Sequence, residues 1–288
     1  MEWPVTKKSE FTRFKLVPPR GILLYGPPGC AKTTLAKVCA FSSNCAFIAL
    51  SPADVYNSPY LGDAEAVIRK AFRTARIGKP CVLFFDEIDA VVGSESYNGG
   101  DDGAAGMGGR GDGKGVEARV LATFLNEMDG ANVRGDDGVM VLAATNRPNV
   151  LDAALLRQGR FDKIVYVGPP DFEGRKQVFR IHLNEIEIDN HELDNLATLT
   201  ESFTGAEIEG VCREVLMSLL MEELDSQENE KEEQRRFDGV ANRHRGVAER
   251  LVEAVSGVKP LLSKKKSEIA EDYEIFRRKQ QGSLGMQV

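Results

Sequence analysis

The chain has no basic surplus, no paired-cysteine spacing and no long apolar run, and each absence closes off a class of function. Lys and Arg number 37 against 44 Asp and Glu, a net charge of −7. Bulk electrostatics therefore offer nothing to nucleic acid, and no direct DNA contact is expected. The five cysteines, Cys30, Cys39, Cys45, Cys81 and Cys212, are odd in number and none stands in C-x-x-C spacing. That pattern fits a reducing compartment, the cytoplasm or the nucleus, better than secretion, and it argues against zinc. No apolar stretch approaches the ~20 residues of a membrane span. The start, Met1-Glu2-Trp3-Pro4, has no signal-peptide character, so no membrane partner is expected.

What is present suffices for one α/β core and a smaller helical part, since 42% of the 288 residues are apolar. Strands read at Gly21 to Tyr25, Ala46 to Leu50, Cys81 to Phe85, Val139 to Ala144 and Lys163 to Val167, with helical patterns between them. That alternation predicts a parallel sheet with helices on both faces and a ligand at the carboxyl ends of the strands. Val116, Val120, Leu121, Phe124, Leu125 and Met128 recur at helical spacing, as do Ile208, Val211, Cys212, Val215 and Leu219, and both sets read as core stripes. After Pro169-Pro170 the strand patterns stop. The boundary is placed there, with an α/β domain over 1–170 and a helical domain over 171–288.

The chemistry begins where Ile22-Leu23-Leu24-Tyr25 runs into Gly26-Pro27-Pro28-Gly29-Cys30-Ala31-Lys32-Thr33-Thr34. A strand, a glycine-bearing loop, a lysine with a hydroxyl and then an amphipathic stretch to Ala40 are what a triphosphate with Mg²⁺ requires. Backbone N–H groups and the helix N-terminus cradle the phosphates, Lys32 reaches the β and γ phosphates, and Thr33 ligates the metal. One position departs from G-x-x-x-x-G-K-[ST]. Ala31 stands where glycine is usual, which puts the close backbone approach at that residue in question.

A second strand ends in Asp86-Glu87-Ile88-Asp89. Carboxylates at the carboxyl end of a buried parallel strand are placed to hold Mg²⁺ through Asp86 and to polarise the attacking water through Glu87. A third, Val139 to Ala144, leads into Thr145-Asn146-Arg147-Pro148, where Asn146 is the candidate to position the water or sense the γ phosphate. Arg157 and Arg160, three apart after a short helical stretch, could on their own be ordinary surface charge.

These four segments, in this order and at these intervals, resemble the cassette of an AAA ATPase, from about Pro18 to Phe276. The resemblance implies a P-loop NTPase sheet followed by a small helical lid, with ATP and Mg²⁺ as ligands. Lys32 and Thr33 would be its Walker A, Asp86 and Glu87 its Walker B, and Asn146 its first sensor. Arg157 and Arg160 would be arginine fingers reaching a neighbouring subunit's nucleotide. His182 with Gly205 and Ala206 would line the adenine pocket, although a lone histidine near a helix is more often structural. Tyr60 and Leu61 would belong to the first pore loop of a homo- or hetero-hexamer; without the family Tyr60 is a packed loop aromatic. Within the family the Pro18 to Tyr25 and Gly29 to Leu35 stretches look like the second cassette of the valosin-containing-protein branch, similar to the spermatogenesis-associated-protein-five-like ATPases of ribosome biogenesis.

The implied activity is ATP-driven remodelling or unfolding of a protein or ribonucleoprotein substrate. The alternative is a nucleotide-binding but hydrolytically weak scaffold subunit of a mixed ring; Glu87 and both arginines argue against it, Ala31 for it. Gly93 to Gly115 holds ten glycines and reads as a flexible loop; the resemblance implies that it lies at the second pore loop, expanded relative to the usual pattern. Asp225 to Arg250 reads as a charged linker or solvated helix surface. The family's strap that closes over adenine would lie ahead of Met1, with Trp3, Phe11 and Phe14 left to pack on the core, so weak and poorly adenine-selective binding is expected of this chain alone.

Overall fold

The computed structural model describes residues 19–57, 62–93, 112–133, 138–184, 186, 188–229, 245–258, 260, 273 and 275–278, with positions 10, 13 and 14; for 112–115, 131–133, 223, 225–229, 245 and 246 it describes the backbone only. These residues divide into two compact units. The first takes its residues from 1–26, 32–167 and 275–288, the second from 27–31 and 168–274, so the division does not follow a single cut at residue 170.

The first unit is built on five parallel strands, β1 (Gly21–Tyr25), β2 (Ala46–Leu50), β3 (Cys81–Phe85), β4 (Val139–Thr145) and β5 (Phe161–Tyr166), in the order β2-β3-β4-β1-β5. The central strands are apolar throughout because both of their faces are covered: every residue of Cys-Val-Leu-Phe-Phe in β3 is buried. Successive side chains point to opposite faces, so Phe84 and Phe85 serve different layers. Phe85 meets Phe72 of α3 (Asp63–Ile77) and Phe124 of α5 (Asp112–Val133), and Phe124 meets Phe161, with ring centroids 5.0 to 6.3 Å apart. Phe84 lies with Leu24, Val82, Leu142 and Ala144 under Ala36 and Ala40 of α1 (Lys32–Ser42). Each such buried phenylalanine contributes roughly 1.5–3 kcal/mol.

β5 begins two residues before the sequence reading placed it. Phe161 is 1% exposed and pairs with Gly21 across a register irregularity between Gly21 and Ile22. Gly21 is required there: a Cβ would stand 2.1 Å from the Arg160 carbonyl oxygen. Short helices α2 (Pro52–Tyr56) and α4 (Ile88–Val92) follow β2 and β3. Ser51 and Asp54 form a capping box at the start of α2. Of the α5 stripe, Val120, Phe124 and Met128 are buried and Val116, Leu121 and Leu125 partly so.

The second unit is helical: α6 (Phe172–His182), α7 (Asn190–Leu199), α8 (Gly205–Asn229) and α9 (Arg245–Gly257). Asp171 caps α6 through the Gly174 N–H, and Asp189 with Glu192 forms a capping box on α7. Its core joins Phe179, Leu193, Leu196, Phe203, Ile208, Val211, Cys212 and Val215 to Val247, Leu251 and Val255. The i, i+4, i+8 spacing of the last three puts them on one face of α9. Arg175 is buried among these helices with its guanidinium donating to the carbonyls of Ala197 and Pro170. Among the described residues no helix is long and apolar enough to cross a membrane.

Candidate active site

Three adjacent strand ends of the first unit bring the acidic, basic and amide groups together. β1 leads into Gly26, whose N–H donates to the Thr145 carbonyl at the end of β4. A Cβ at Gly26 would meet the Val167 carbonyl oxygen at 2.0 Å. Only glycine therefore lets the chain leave β1 this close to the strand end. Lys32, in the first turn of α1 and 8% exposed, donates from Nζ to the Gly26 carbonyl at 2.9 Å and to Asn146 Oδ1 at 2.6 Å. The Thr33 hydroxyl donates to Asp86 Oδ2 at 2.6 Å. Residues 114 and 53 positions apart in sequence thus meet in one crevice.

Glu87 is exposed, and its own N–H donates to Asp86 Oδ1 at 3.1 Å. It holds φ 47° and ψ 48°, a left-handed conformation that a residue with a side chain adopts at a cost of about 1–2 kcal/mol. That backbone turns the Glu87 side chain out of line with the strand while Ile88 and Asp89 start α4 inward. Asp89 accepts from Thr145 Oγ1 at 2.8 Å and from Arg147 Nε at 3.0 Å, and Thr145 Oγ1 in turn accepts from the Arg147 N–H at 2.9 Å. The sequence reading passed over these three residues. The signal was there, a third acid in Asp86-Glu87-Ile88-Asp89, but that the acid is buried only the fold reveals.

The two arginines separate. Arg157 is exposed and its side chain has no hydrogen bond or ion pair among the described residues. Arg160 is bound within its own chain: Nε and one terminal nitrogen donate to both carboxylate oxygens of Asp129 at 3.0 and 2.6 Å, and the other donates to the Ala154 carbonyl at 2.6 Å. The guanidinium holds the Asp129 carboxyl below its ordinary value, and Asp129 pushes Arg160 up.

In the second unit, the loop residues Pro27 to Ala31 sit with the start of α8. The Ala206 N–H donates to the Gly29 carbonyl at 3.1 Å, and a Cβ on Gly29, which has φ +76°, would come within 2.9 Å of Thr204 Oγ1. Thr204 and Glu207 close the helix start with a reciprocal cap. Ala206 is thus hydrogen-bonded to Gly29. His182 ends α6, half-buried, and no described hydrogen bond joins it to Gly205 or Ala206. Ala31 has φ 58°: the chain keeps the left-handed turn that glycine normally supplies and makes it with a Cβ. Tyr60, Leu61, Trp3, Phe11 and most of the glycine-rich stretch lie outside the described residues.

The donor set suits a nucleotide with a hard divalent cation. Among the described residues no group of three or more His, Cys, Asp and Glu could hold a metal by itself. A hydroxyl beside a single carboxylate is what Mg²⁺ takes when phosphate oxygens and water complete its shell.

Residues 22–169 match the family model described as ATPase family associated with various cellular activities, and 190–234 match that of the AAA+ lid domain. The chain belongs to the AAA ATPase family. It has the parallel sheet and the following helical lid domain that the resemblance implied. It is 43% identical to the rat ATPase family gene 2 protein homolog B over 77% of this chain and 30% of that protein. With the cell division control protein 48 homolog B of Arabidopsis thaliana the identity is 39%, over 96% of this chain and 41% of that protein. The proteasome-activating nucleotidase of Methanococcus maripaludis is 39% identical over 77% of this chain and 51% of its own length. The chain thus spans about a third of the first two relatives.

Proposed function

We propose that this AAA module couples ATP hydrolysis, within a homo- or hetero-hexameric ring, to remodelling or unfolding a protein or ribonucleoprotein substrate in the cytoplasm or nucleus. The observation that carries the reading is the meeting of Lys32 with Asn146 and of Thr33 with Asp86 at adjacent strand ends, beside an exposed Glu87. Thr33 and Asp86 would hold Mg²⁺, which supplies Lewis-acid stabilisation of charge on the phosphates. Lys32 exchanges its contacts with Gly26 and Asn146 for phosphate oxygens, and the Asn146 amide orients the attacking water. Glu87 takes a proton from that water as its oxygen bonds to the γ phosphorus; the bond from that phosphorus to the bridging oxygen breaks, giving ADP and phosphate. Arg157, exposed and uncommitted among the described residues, is the arginine offered to a neighbour's site.

The relatives' names support the wider reading, a proteasome-activating nucleotidase and a cell division control protein 48 homolog among them. Ribosome biogenesis, and substrate gripping by Tyr60 and Leu61, stand on the sequence resemblance alone. The test is ATPase rate per mole of chain against chain concentration. An arginine acting in trans makes specific activity rise with concentration to a plateau; a flat profile rejects the shared site.

A further inference from the structure

We infer that Asp89, with Thr145 and Arg147, is the positioning element that locks Asn146 to the helix bearing Glu87, so that sensor and base move as one. The inference rests on the catalytic reading of Asn146 and Glu87 given above and adds what holds them in register. The whole network lies within the first unit.

Asp89 is 9% exposed and Thr145 1%. A carboxylate that buried is costly unless its oxygens are matched. Here each is: Oδ1 takes the Thr145 hydroxyl at 2.8 Å and Oδ2 takes Arg147 Nε at 3.0 Å. Thr145 and Arg147 flank Asn146. The same Thr145 hydroxyl oxygen accepts the Arg147 N–H at 2.9 Å, which fixes the peptide just after Asn146. The Thr145 carbonyl, just before Asn146, accepts the Gly26 N–H. Both peptides beside the sensor are thereby tied, one to the phosphate loop and the other through Thr145 and Asp89 to α4. Asp89 stands two residues after Glu87 in the first turn of α4, and the Ala90 N–H donates to the Glu87 carbonyl at 2.8 Å. Hydrogen bonds therefore join Lys32 to Asn146 and both neighbours of Asn146 to Asp89, and the backbone at the start of α4 carries Asp89 to Glu87.

Arginine suits its place. Its side chain is 66% exposed, so the charge of Asp89 is matched by a group that stays solvated. A neutral amide at 89 keeps an acceptor for Thr145 but presents a donor or an uncharged oxygen to Arg147. The lock is then loosened without emptying the core.

The test uses the full chain at a concentration where specific ATPase activity is at plateau. Asp89→Asn is expected to lower kcat by on the order of tenfold to a hundredfold, with KM for ATP within about twofold, because misplacement and not binding is affected. Thr145→Val is expected to do the same, and Thr145→Ser to retain most of the rate that Thr145→Val loses. Asn146→Ala with Asp89→Asn should be no slower than Asn146→Ala alone, since Asp89 acts through Asn146. A second readout needs no nucleotide: amide exchange over residues 145–147 should speed up in Asp89→Asn while the melting temperature stays within a few degrees. Full kcat in Asp89→Asn, losses that multiply in the double variant, or unchanged exchange at 145–147 would each overturn the positioning role. If Asn146→Ala alone leaves kcat untouched, the sensor assignment itself fails, and the inference falls with it.

Discussion

Replacing Ala31 by glycine is expected to stabilise the chain. Ala31 has φ 58° and is exposed, so its Cβ is strained by the backbone and repaid by little packing. The left-handed region costs a residue with a side chain about 1–2 kcal/mol. Glycine removes that cost but has more freedom to lose on folding, which takes back ~0.4–1 kcal/mol. The net gain is about 0–1.6 kcal/mol, centred near 0.8, which raises Tm by roughly several degrees at most. Calorimetry or urea unfolding of the nucleotide-free chain measures it. Asn44 has φ 51° and serves as the control: asparagine tolerates the left-handed region, so Asn44→Gly should gain less than Ala31→Gly or lose stability. A lower Tm for Ala31→Gly would refute the reasoning, for it would mean that the methyl group contributes packing the structure does not show. ADP affinity should hold or improve, because the loop's path is already the one glycine would take.

Lys32→Ala should abolish measurable nucleotide binding, whereas Glu87→Gln should bind ATP within about twofold of the parent and lose ~10²–10⁴-fold in kcat; equal turnover in Glu87→Gln would remove Glu87 as the base. Asp129→Asn should lower stability at neutral pH by about 1 kcal/mol or less, the pair being partly solvent-exposed. Since Arg160 depresses the Asp129 carboxyl, the paired state stabilises above the ordinary carboxylate range and that gain is lost as pH falls through the folded value. The Tm gap between parent and Asp129→Asn should therefore close in acid; a gap that widens there contradicts the sign. Burial pushes the Cys212 thiol up to about 12, so alkylation at pH 8 followed by mass spectrometry should label the partly exposed Cys39 and Cys45 well before Cys212.

Four of the five strands were legible nearly to the residue because short apolar runs bounded by glycine, proline or acids leave few alternatives. The fifth was misplaced at its start for a physical reason. Arg160-Phe161-Asp162 reads as a polar approach, but Phe161 is drawn into the aromatic layer beside Phe124 and the strand starts with it. The site was legible to the extent that its chemistry is carried by residue types in a fixed local order: Gly26, Lys32 and Thr33 announce a phosphate loop before any contact is known. Burial was not legible. Nothing in the string Asp86-Glu87-Ile88-Asp89 says that the second residue faces solvent and the fourth does not; the left-handed turn at Glu87 decides it, and tertiary packing holds that turn.

The same limit governs Arg157 and Arg160, which the sequence presents as equals. Asp129 lies 31 positions before Arg160, in the penultimate turn of a 22-residue helix, and only the return of β5 beside β1 brings them together. A bidentate pair whose third arm is taken by the Ala154 carbonyl commits three of the five guanidinium N–H groups within the chain, so swinging Arg160 toward another group breaks charge-assisted contacts. The Ala154 carbonyl belongs to the single turn of 3₁₀ helix, Ala153–Leu156, that immediately precedes Arg157. Arg160 thus fixes the platform from which Arg157 projects. Removing the Asp129 carboxylate should therefore disturb the presentation of Arg157 before it exposes a second finger. Asp129→Asn is expected to lower the plateau of specific ATPase activity while leaving ATP affinity at low chain concentration unchanged. A higher plateau in that variant would mean that Asp129 restrains a second functional arginine, and the division of roles between the two residues would have to be reversed.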